Sequence, residues 1–360
     1  MGKISLKAIV KKGRGYGKLE YTDFKHEDVN ADLSAGEALI RMKTGSVCGS
    51  DVHAYKDVAD YSRLNLPRIF GHESSGVIEQ INNNGMESHA GLSVGDAVVI
   101  DPLMECGECS ACKLGNTNVC YNRKTLGFQL NGVFSEYTRV KLDHLIKQPK
   151  GLNHSLASMT EPLTIAINAV KRSNLNFDNK DQDIVLFGAG KISLFIGLVL
   201  RKIKKMERVS VVGTREDERS RLPHFADAGI DTYIYEENFD KKGNLLHDSN
   251  LKGKQQSAFE VSGTELGLIG AMNAVKNTGN VILVGLFETP VSVVASNIVR
   301  TEKNLVGSYG SKHVDFVTGL GYISQGLIDK RIISNYKPED CNKAFEDYLN
   351  RRVISAIFEF

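Results

Sequence analysis

The chain has no tryptophan, seven prolines in 360 residues, and a formal net charge of only +2, from 45 basic against 43 acidic side chains. Charges so evenly matched create no single-sign field, and with no basic, aromatic-laced face this argues against a nucleic-acid or membrane-surface partner. Long apolar runs are missing too. The longest apolar-or-small stretch, Ile192 to Leu200, is closed off by Lys191 and Arg201, well short of the ~20 residues needed to cross a bilayer. The N-terminal MGKISLKAIVKKGRG is charged throughout and lacks the apolar core and small-residue cleavage site of a secretory signal, so the expected location is cytoplasmic. No internal repeat or low-complexity segment is found.

What is present is an ordinary globular composition. Hydrophobic residues at 41% and charged residues at 24% supply a sizeable core, and the length suits two domains. Up to about residue 150 the chain reads as short β-rich pieces, such as Ala38–Met42, Gly76–Ile81 and Ala97–Ile100, punctuated by glycine and polar clusters. From about Ser155 the pattern changes. Helical spacing runs through Thr164 to Val170. Apolar strands then alternate with amphipathic segments, with strand candidates Asp183–Phe187, Val209–Val212, Thr232–Tyr235, Ala258–Val261 and Asn280–Val284. That alternation implies an α/β fold with a doubly wound parallel sheet. Two domains with a ligand cleft between them is the expectation.

The segment Asp183-Ile-Val-Leu-Phe-Gly188-Ala-Gly190-Lys-Ile-Ser193 is a buried strand entering a glycine turn and then a helix. The glycines permit a tight turn and close backbone approach, so the helix start can hold a pyrophosphate. Ser193 stands where a third glycine is usual, and a slightly displaced helix is expected. The next strand ends in Gly213-Thr214-Arg215 with no acid to accept two ribose hydroxyls. A hydroxyl and a guanidinium suit a 2′-phosphate, which favours NADP(H) over NAD(H). The competing reading is a solvated Arg215 among Glu216, Asp217 and Glu218.

Cys106, Cys109, Cys112 and Cys120 fall within fifteen residues. Without a secretory signal such spacing reads as metal binding rather than disulfides. Four thiolates close a tetrahedral zinc site with no open position, so this zinc is structural. A second donor set is dispersed: Cys48, then His72 and Glu73, then Glu161. A catalytic zinc takes three protein ligands and leaves one position open. Cys48, His72 and one carboxylate would supply them, with Glu73 and Glu161 both open as the third. Cys341 has no metal-like neighbours and reads as a small buried hydrophobe. The histidines outside these runs, His26, His89, His144, His154, His224, His247 and His313, read as surface or loop residues.

Taken together, the Cys48-Gly-Ser50-Asp51-x-x-His53 run, Gly71-His72-Glu73, the four-cysteine loop, Glu161-Pro162-Leu163 and Gly188-Ala-Gly190, in that order, resemble the zinc-containing medium-chain alcohol dehydrogenases over nearly the whole chain. The branch is that of polyol (sorbitol-like), threonine and cyclitol dehydrogenases. The resemblance implies a GroES-like β domain of residues 1–155 completed by 299–360, and a Rossmann domain of residues 156–298. It implies two zinc ions per chain and hydride transfer between a nicotinamide and a secondary alcohol or ketone, with a polyol, sugar or cyclitol favoured. Threonine-like amino alcohols and simple secondary alcohols are the alternatives. Ser50 would take the alcohol proton and His53 would pass it toward solvent. Asp51 would orient a ligand or cap its loop. Arg300, Ser308 and Tyr309 match a segment that lines the cleft. A homo-oligomer, dimer or tetramer, is implied. The rivals are a zinc ribbon on a nucleic-acid-binding protein, which leaves Cys48, His72 and Glu161 unexplained, and a catalytically retired NADPH-binding sensor on the same fold.

Overall fold

The computed structural model describes residues 6–25, 32–58, 61, 64–83, 91–247, 249, 251 and 255–360. The chain divides into two compact units, one made of residues 1–164, 312–350 and 355–360, the other of 165–311 and 351–354.

The first unit is β-rich. Strands Leu6–Lys11 and Leu19–Phe24 pair antiparallel, with the short strand Arg68–Ile69 on the other side of Leu6–Lys11. A larger seven-stranded sheet is built around Glu37–Ser46, which pairs with Glu73–Asn82 and Tyr137–Lys141 and, from the far end of the chain, with Ser355–Glu359. Strand Leu6–Lys11 buries Leu6, Ala8 and Val10 against Leu39 and Ile69. The helix His313–Ser324 buries Phe316 and Leu320 on Val99, Ile146 and Ala157. These contacts tie both chain ends into one core.

The second unit is a six-stranded, all-parallel sheet in the order Asp231–Ile234, Arg208–Gly213, Asp183–Phe187, Gln255–Glu260, Val275–Leu283 and Asn304–Gly307. Asp183–Phe187, the first of these strands in the chain, is central and the order reverses beside it, the Rossmann arrangement in which ligands bind beyond the carboxyl ends of the strands at the reversal. The helix Lys191–Leu198, which runs on through Val199–Ile203, is the apolar stretch noted in the sequence. Most of its residues are buried, as a helix apolar on all sides must be. Strand Asn304–Gly307 was not foreseen; it is short and half-exposed, so it carries little apolar signal.

Among the described residues no helix is long and apolar enough to cross a membrane.

Candidate metal and cofactor sites

Strand register brings the dispersed donors together. Ser46 is paired with Glu73 across the antiparallel ladder of the large sheet. The residues just beyond Ser46 and just before Glu73 therefore emerge at the same end, which sets Cys48 beside His72. Gly71 makes the approach possible. Its φ is +92°, and a Cβ there would lie 2.2 Å from Cδ1 of Phe134, so only glycine fits. The donor atoms of Cys48, His72 and Glu73 all lie within 4.8 Å of one another. Tetrahedral ligands on zinc stand roughly 3.3–3.8 Å apart, given bonds of about 2.0–2.3 Å, so a small contraction would close this group on an ion. Glu161, second residue of the helix Thr160–Arg172, lies outside the compact group. It is buried, and its charge still reaches the Cys48 thiol.

Cys48 is the N-cap of the helix Gly49–Lys56, and its amide donates to Oδ2 of Asp51 at 3.1 Å. The other carboxylate oxygen, Oδ1, forms an ion pair with Nδ1 of His72 at 3.2 Å. The two roles open to Asp51 in the sequence are therefore filled at once: it caps the helix and orients the imidazole. With Nδ1 turned to a carboxylate, Nε2 is left as the ligating nitrogen, and Ser50 Oγ lies 3.5 Å from it. Burial pushes the Cys48 thiol up, aided by the Glu73 carboxylate. Burial pulls His72 down, but the Asp51 and Cys48 charges overcome it and hold the imidazole well above its usual value. A thiol, an imidazole and a carboxylate packed together suit a dication, and zinc fits this donor set. Asp51→Asn keeps an oxygen for the cap but removes the charge on His72. Metal affinity at this site, read by chelator competition, is expected to fall about 10–100-fold. An unchanged affinity would make Asp51 a capping residue only.

The aromatic lining was missed by sequence reasoning. Tyr61 stacks on His53 with ring centroids 6.0 Å apart and planes 5° from parallel. Phe128 lies 5.4 Å from Tyr61 and 5.3 Å from His72. No spacing rule links these positions.

In the four-cysteine loop all ligand sulfurs lie within 4.8 Å of one another. Sγ separations of 3.4 Å (Cys106–Cys120), 3.5 Å (Cys109–Cys112) and 3.8 Å (Cys109–Cys120) are near those of thiolates on one tetrahedral zinc. All six cysteines are free thiols. Backbone amides of Cys112 and Tyr121 donate to Cys109 and draw its thiol down to about 6, while desolvation pushes Cys112 up to about 12. A thiol drawn down beside one that needs a cation to ionise makes a donor set that zinc fits.

In the second unit Gly188 has φ +104°, and a Cβ on it would sit 3.0 Å from the amide nitrogen of Ser262. Gly190 is the N-cap of the following helix, and the place of its missing Cβ is open, with nothing within 4 Å. This turn has the backbone approach and free helix start that a pyrophosphate needs. Ser193 is fully buried, and its Oγ has no hydrogen-bond partner among the described residues. At the end of strand Arg208–Gly213, Thr214 N and Oγ1 both donate to Oδ2 of Asp217, each at 3.0 Å. Arg351, 137 residues on, donates from Nη1 to Thr214 Oγ1 at 2.5 Å. Arg215 pairs with Glu237 at 3.3 Å and is largely exposed. Asp217 and Arg351 are thus additions to the group read from the sequence.

Arg300 is exposed on the helix Ala295–Thr301, Ser308 accepts from Asn168 at 3.4 Å, and Tyr309 is 42% exposed. Cys341 is buried. His26 and His89 lie outside the described residues. His144 departs from its surface reading: it is buried, with Nε2 4.0 Å from Glu105.

A β-rich unit with a thiol–imidazole–carboxylate group, joined to a Rossmann unit with a glycine turn, defines an NAD(P)-dependent alcohol dehydrogenase. The chain matches the family model for the alcohol dehydrogenase GroES-like domain over residues 34–150 and that for the glucose dehydrogenase C-terminus over residues 154–360. It is 30% identical over 313 residues to a 2-dehydro-3-deoxy-L-galactonate 5-dehydrogenase of Pseudoalteromonas atlantica, covering 86% of this chain and 87% of the relative. It is 28% identical to a sorbitol dehydrogenase of Halalkalibacterium halodurans, covering 94% and 95%. An Escherichia coli structure, described as a short chain alcohol dehydrogenase complexed with cofactor NADH, superposes with a TM-score of 0.82 at 25% identity, covering 99% of this chain and 100% of that one. The chain belongs to the zinc-type medium-chain alcohol dehydrogenase family.

Proposed function

We propose that the protein is a zinc-dependent, NADP(H)-preferring dehydrogenase of a polyhydroxylated secondary alcohol (a polyol, sugar or cyclitol) or of the matching ketone. The observation that carries this reading is the grouping of Cys48, His72 and Glu73 within 4.8 Å, with a hydroxyl, Ser50, 3.5 Å from the His72 ring.

Cys48, His72 and either Glu73 or Glu161 would hold the catalytic zinc, and Cys106, Cys109, Cys112 and Cys120 the structural one. When bound, zinc supplies Lewis acidity that favours alkoxide over alcohol, and the nicotinamide takes or gives the hydride. The protein's own part is proton handling and placement. Ser50 and His53 lie three apart on one helix and so share a face. Ser50 Oγ accepts the alcohol proton while giving up its own. His53, half-buried, takes that proton and releases it to water, the general acid–base work for which an imidazole is suited. Whichever of Glu73 and Glu161 is not the resting ligand would coordinate transiently or hold a water at the metal. Gly188, Gly190 and Ser193 receive the pyrophosphate.

NADP(H) is favoured by two guanidinium groups, Arg215 and Arg351, at the strand end where the adenosine ribose sits. NAD(H) has one observation on its side: Asp217 lies beside Thr214 and offers a carboxylate for ribose hydroxyls. The retired-sensor reading would leave the Cys48 group without zinc. Metal analysis, titration with NADPH and NADH, and a panel of alcohols and ketones decide among these. The expected result is two zinc ions per chain, tighter NADPH binding, and turnover of a polyol or its ketone. Arg215→Ala is expected to weaken NADPH binding about tenfold with little change for NADH, the worth of one charge-assisted hydrogen bond. Tighter NADH binding would overturn the phosphate reading, and one zinc per chain with no turnover would overturn the enzyme. A cytoplasmic homodimer or homotetramer completes the proposal, and light scattering tests the assembly.

A further inference from the structure

The basic, glycine-rich turn Lys11-Lys12-Gly13-Arg14-Gly15-Tyr16-Gly17-Lys18 was given no role by the sequence pattern, yet its contacts converge on the helix that carries Ser50, Asp51 and His53. Lys11 is 1% exposed, and its ammonium donates to three carbonyls: Gly15 at 2.5 Å, Gly17 at 2.7 Å and Tyr55 at 3.0 Å. Those bonds fix the turn on the last residues of the helix Gly49–Lys56, and Gly17 N–H donates to Tyr55 O at 3.0 Å as well. From this anchored turn Arg14 reaches outward. Its Nη1 meets Oδ1 of Asp57 at 3.1 Å and the carbonyl of Tyr61 at 3.1 Å, and its Nη2 donates to the carbonyl of Leu64. Asp57 is the left-handed C-cap of the same helix, and its Oδ2 accepts from Gly15 N–H at 2.6 Å. One planar fork therefore grips the helix end and two carbonyls beyond it. Tyr61, held through its backbone, lays its ring parallel to His53 at 6.0 Å and next to Phe128.

We propose that Arg14 is a positioning residue for proton release: by clamping Asp57, Tyr61 and Leu64 to the turn it holds the Tyr61 ring on His53, and so keeps the imidazole in the one orientation from which it can take the Ser50 proton. This rests on the relay proposed above. A guanidinium suits the task because its donors are fixed in a plane, whereas an ammonium cannot span the same acceptors. The stacking has no chemistry of its own; it narrows the rotamers open to the imidazole.

The test has a readout independent of turnover. A proton over a parallel aromatic ring is shifted in the magnetic resonance spectrum, so the His53 Cε1–H signal, assigned by its disappearance in His53→Gln, should be displaced in the wild-type protein. In Arg14→Ala it is expected to move to the position seen in Tyr61→Ala. In steady-state assays Arg14→Ala should lower kcat about tenfold while leaving zinc content and the KM for cofactor unchanged, and Arg14→Lys should recover only part of the loss. Acting through His53, it should cause no further loss in a His53→Gln background. An unmoved His53 signal in Arg14→Ala would overturn the clamp. A moved signal with unchanged kcat, or equal losses with and without His53, would overturn its part in proton release. If the signal moves but the wild-type protein turns over no alcohol or ketone, the proposed function fails and Arg14 is a structural tie alone.

Discussion

Cys48→Ser is expected to abolish turnover and lower the zinc content from two ions per chain to one. A serine hydroxyl is a poor zinc ligand at neutral pH compared with a thiolate, and the remaining His72 and Glu73 would not retain the ion. With the metal goes the charge that stabilises a developing alkoxide, an effect worth several kcal/mol. At about 1.4 kcal/mol per decade, kcat/KM should fall by roughly 10³-fold or more. The helix cap should survive, because the bond to Asp51 comes from the Cys48 backbone amide and not from its sulfur. Thermal stability and NADPH binding should therefore stay near wild type, which separates loss of the site from loss of the fold. A Cys48→Ser protein with two zinc ions and ordinary turnover would refute the catalytic-site assignment.

Cys109→Ser should do the opposite, sparing the chemistry and weakening the fold. The loop it braces has little core of its own. Leu103, Ala111, Asn118 and Cys120 are buried, but Leu114 and Tyr121 are each 77% exposed, and its regular structure amounts to the paired two-residue strands Leu103–Met104 and Lys124–Thr125 and the short turns Ser110–Lys113 and Thr117–Val119. A segment with so few apolar contacts opens at low free energy unless something else closes it, and a tetrahedral metal does so. Loss of a structural metal is among the few single changes that cost more than about 4 kcal/mol. At roughly 2 °C per kcal/mol for a chain of this size, the midpoint of unfolding should fall by about 10 °C. Protease cleavage should appear between residues 103 and 125. At low temperature kcat should remain within a few-fold of wild type. An unchanged midpoint with intact protease resistance would show that the four thiols hold no structural metal.

The two variants also mark how far each site was legible in the sequence. The four-cysteine loop and the strand-turn-helix at Asp183–Ser193 are local: their residues are neighbours in the chain, and spacing alone brings them together. Strand Asp183–Phe187 was read with its observed bounds because it is buried along most of its length and closed by glycine. The strand read as Thr232–Tyr235 is observed as Asp231–Ile234, and Tyr235 opens a short helix, since an edge strand with exposed and half-buried positions has no sharp boundary in its hydrophobicity. The dispersed donor group could be named from residue types, but which carboxylate joins it could not. The structure sets Glu73 in the compact group with Cys48 and His72 and leaves Glu161 outside it.

By itself, then, the sequence determined the α/β class, the order of the parallel strands along the chain, the glycine turn and the grouping of the four loop cysteines, because each depends on periodicity or short spacing. The tertiary structure decided what depends on register and on contacts between distant residues. The pairing of Ser46 with Glu73 sets Cys48 beside His72. The two oxygens of Asp51 divide between a helix cap and an imidazole. Arg351 reaches Thr214 across 137 residues, and Arg14 reaches the carbonyl of Tyr61 across 47. No period of 2 or 3.6 encodes such pairs; they follow from which strands pair and which turns pack.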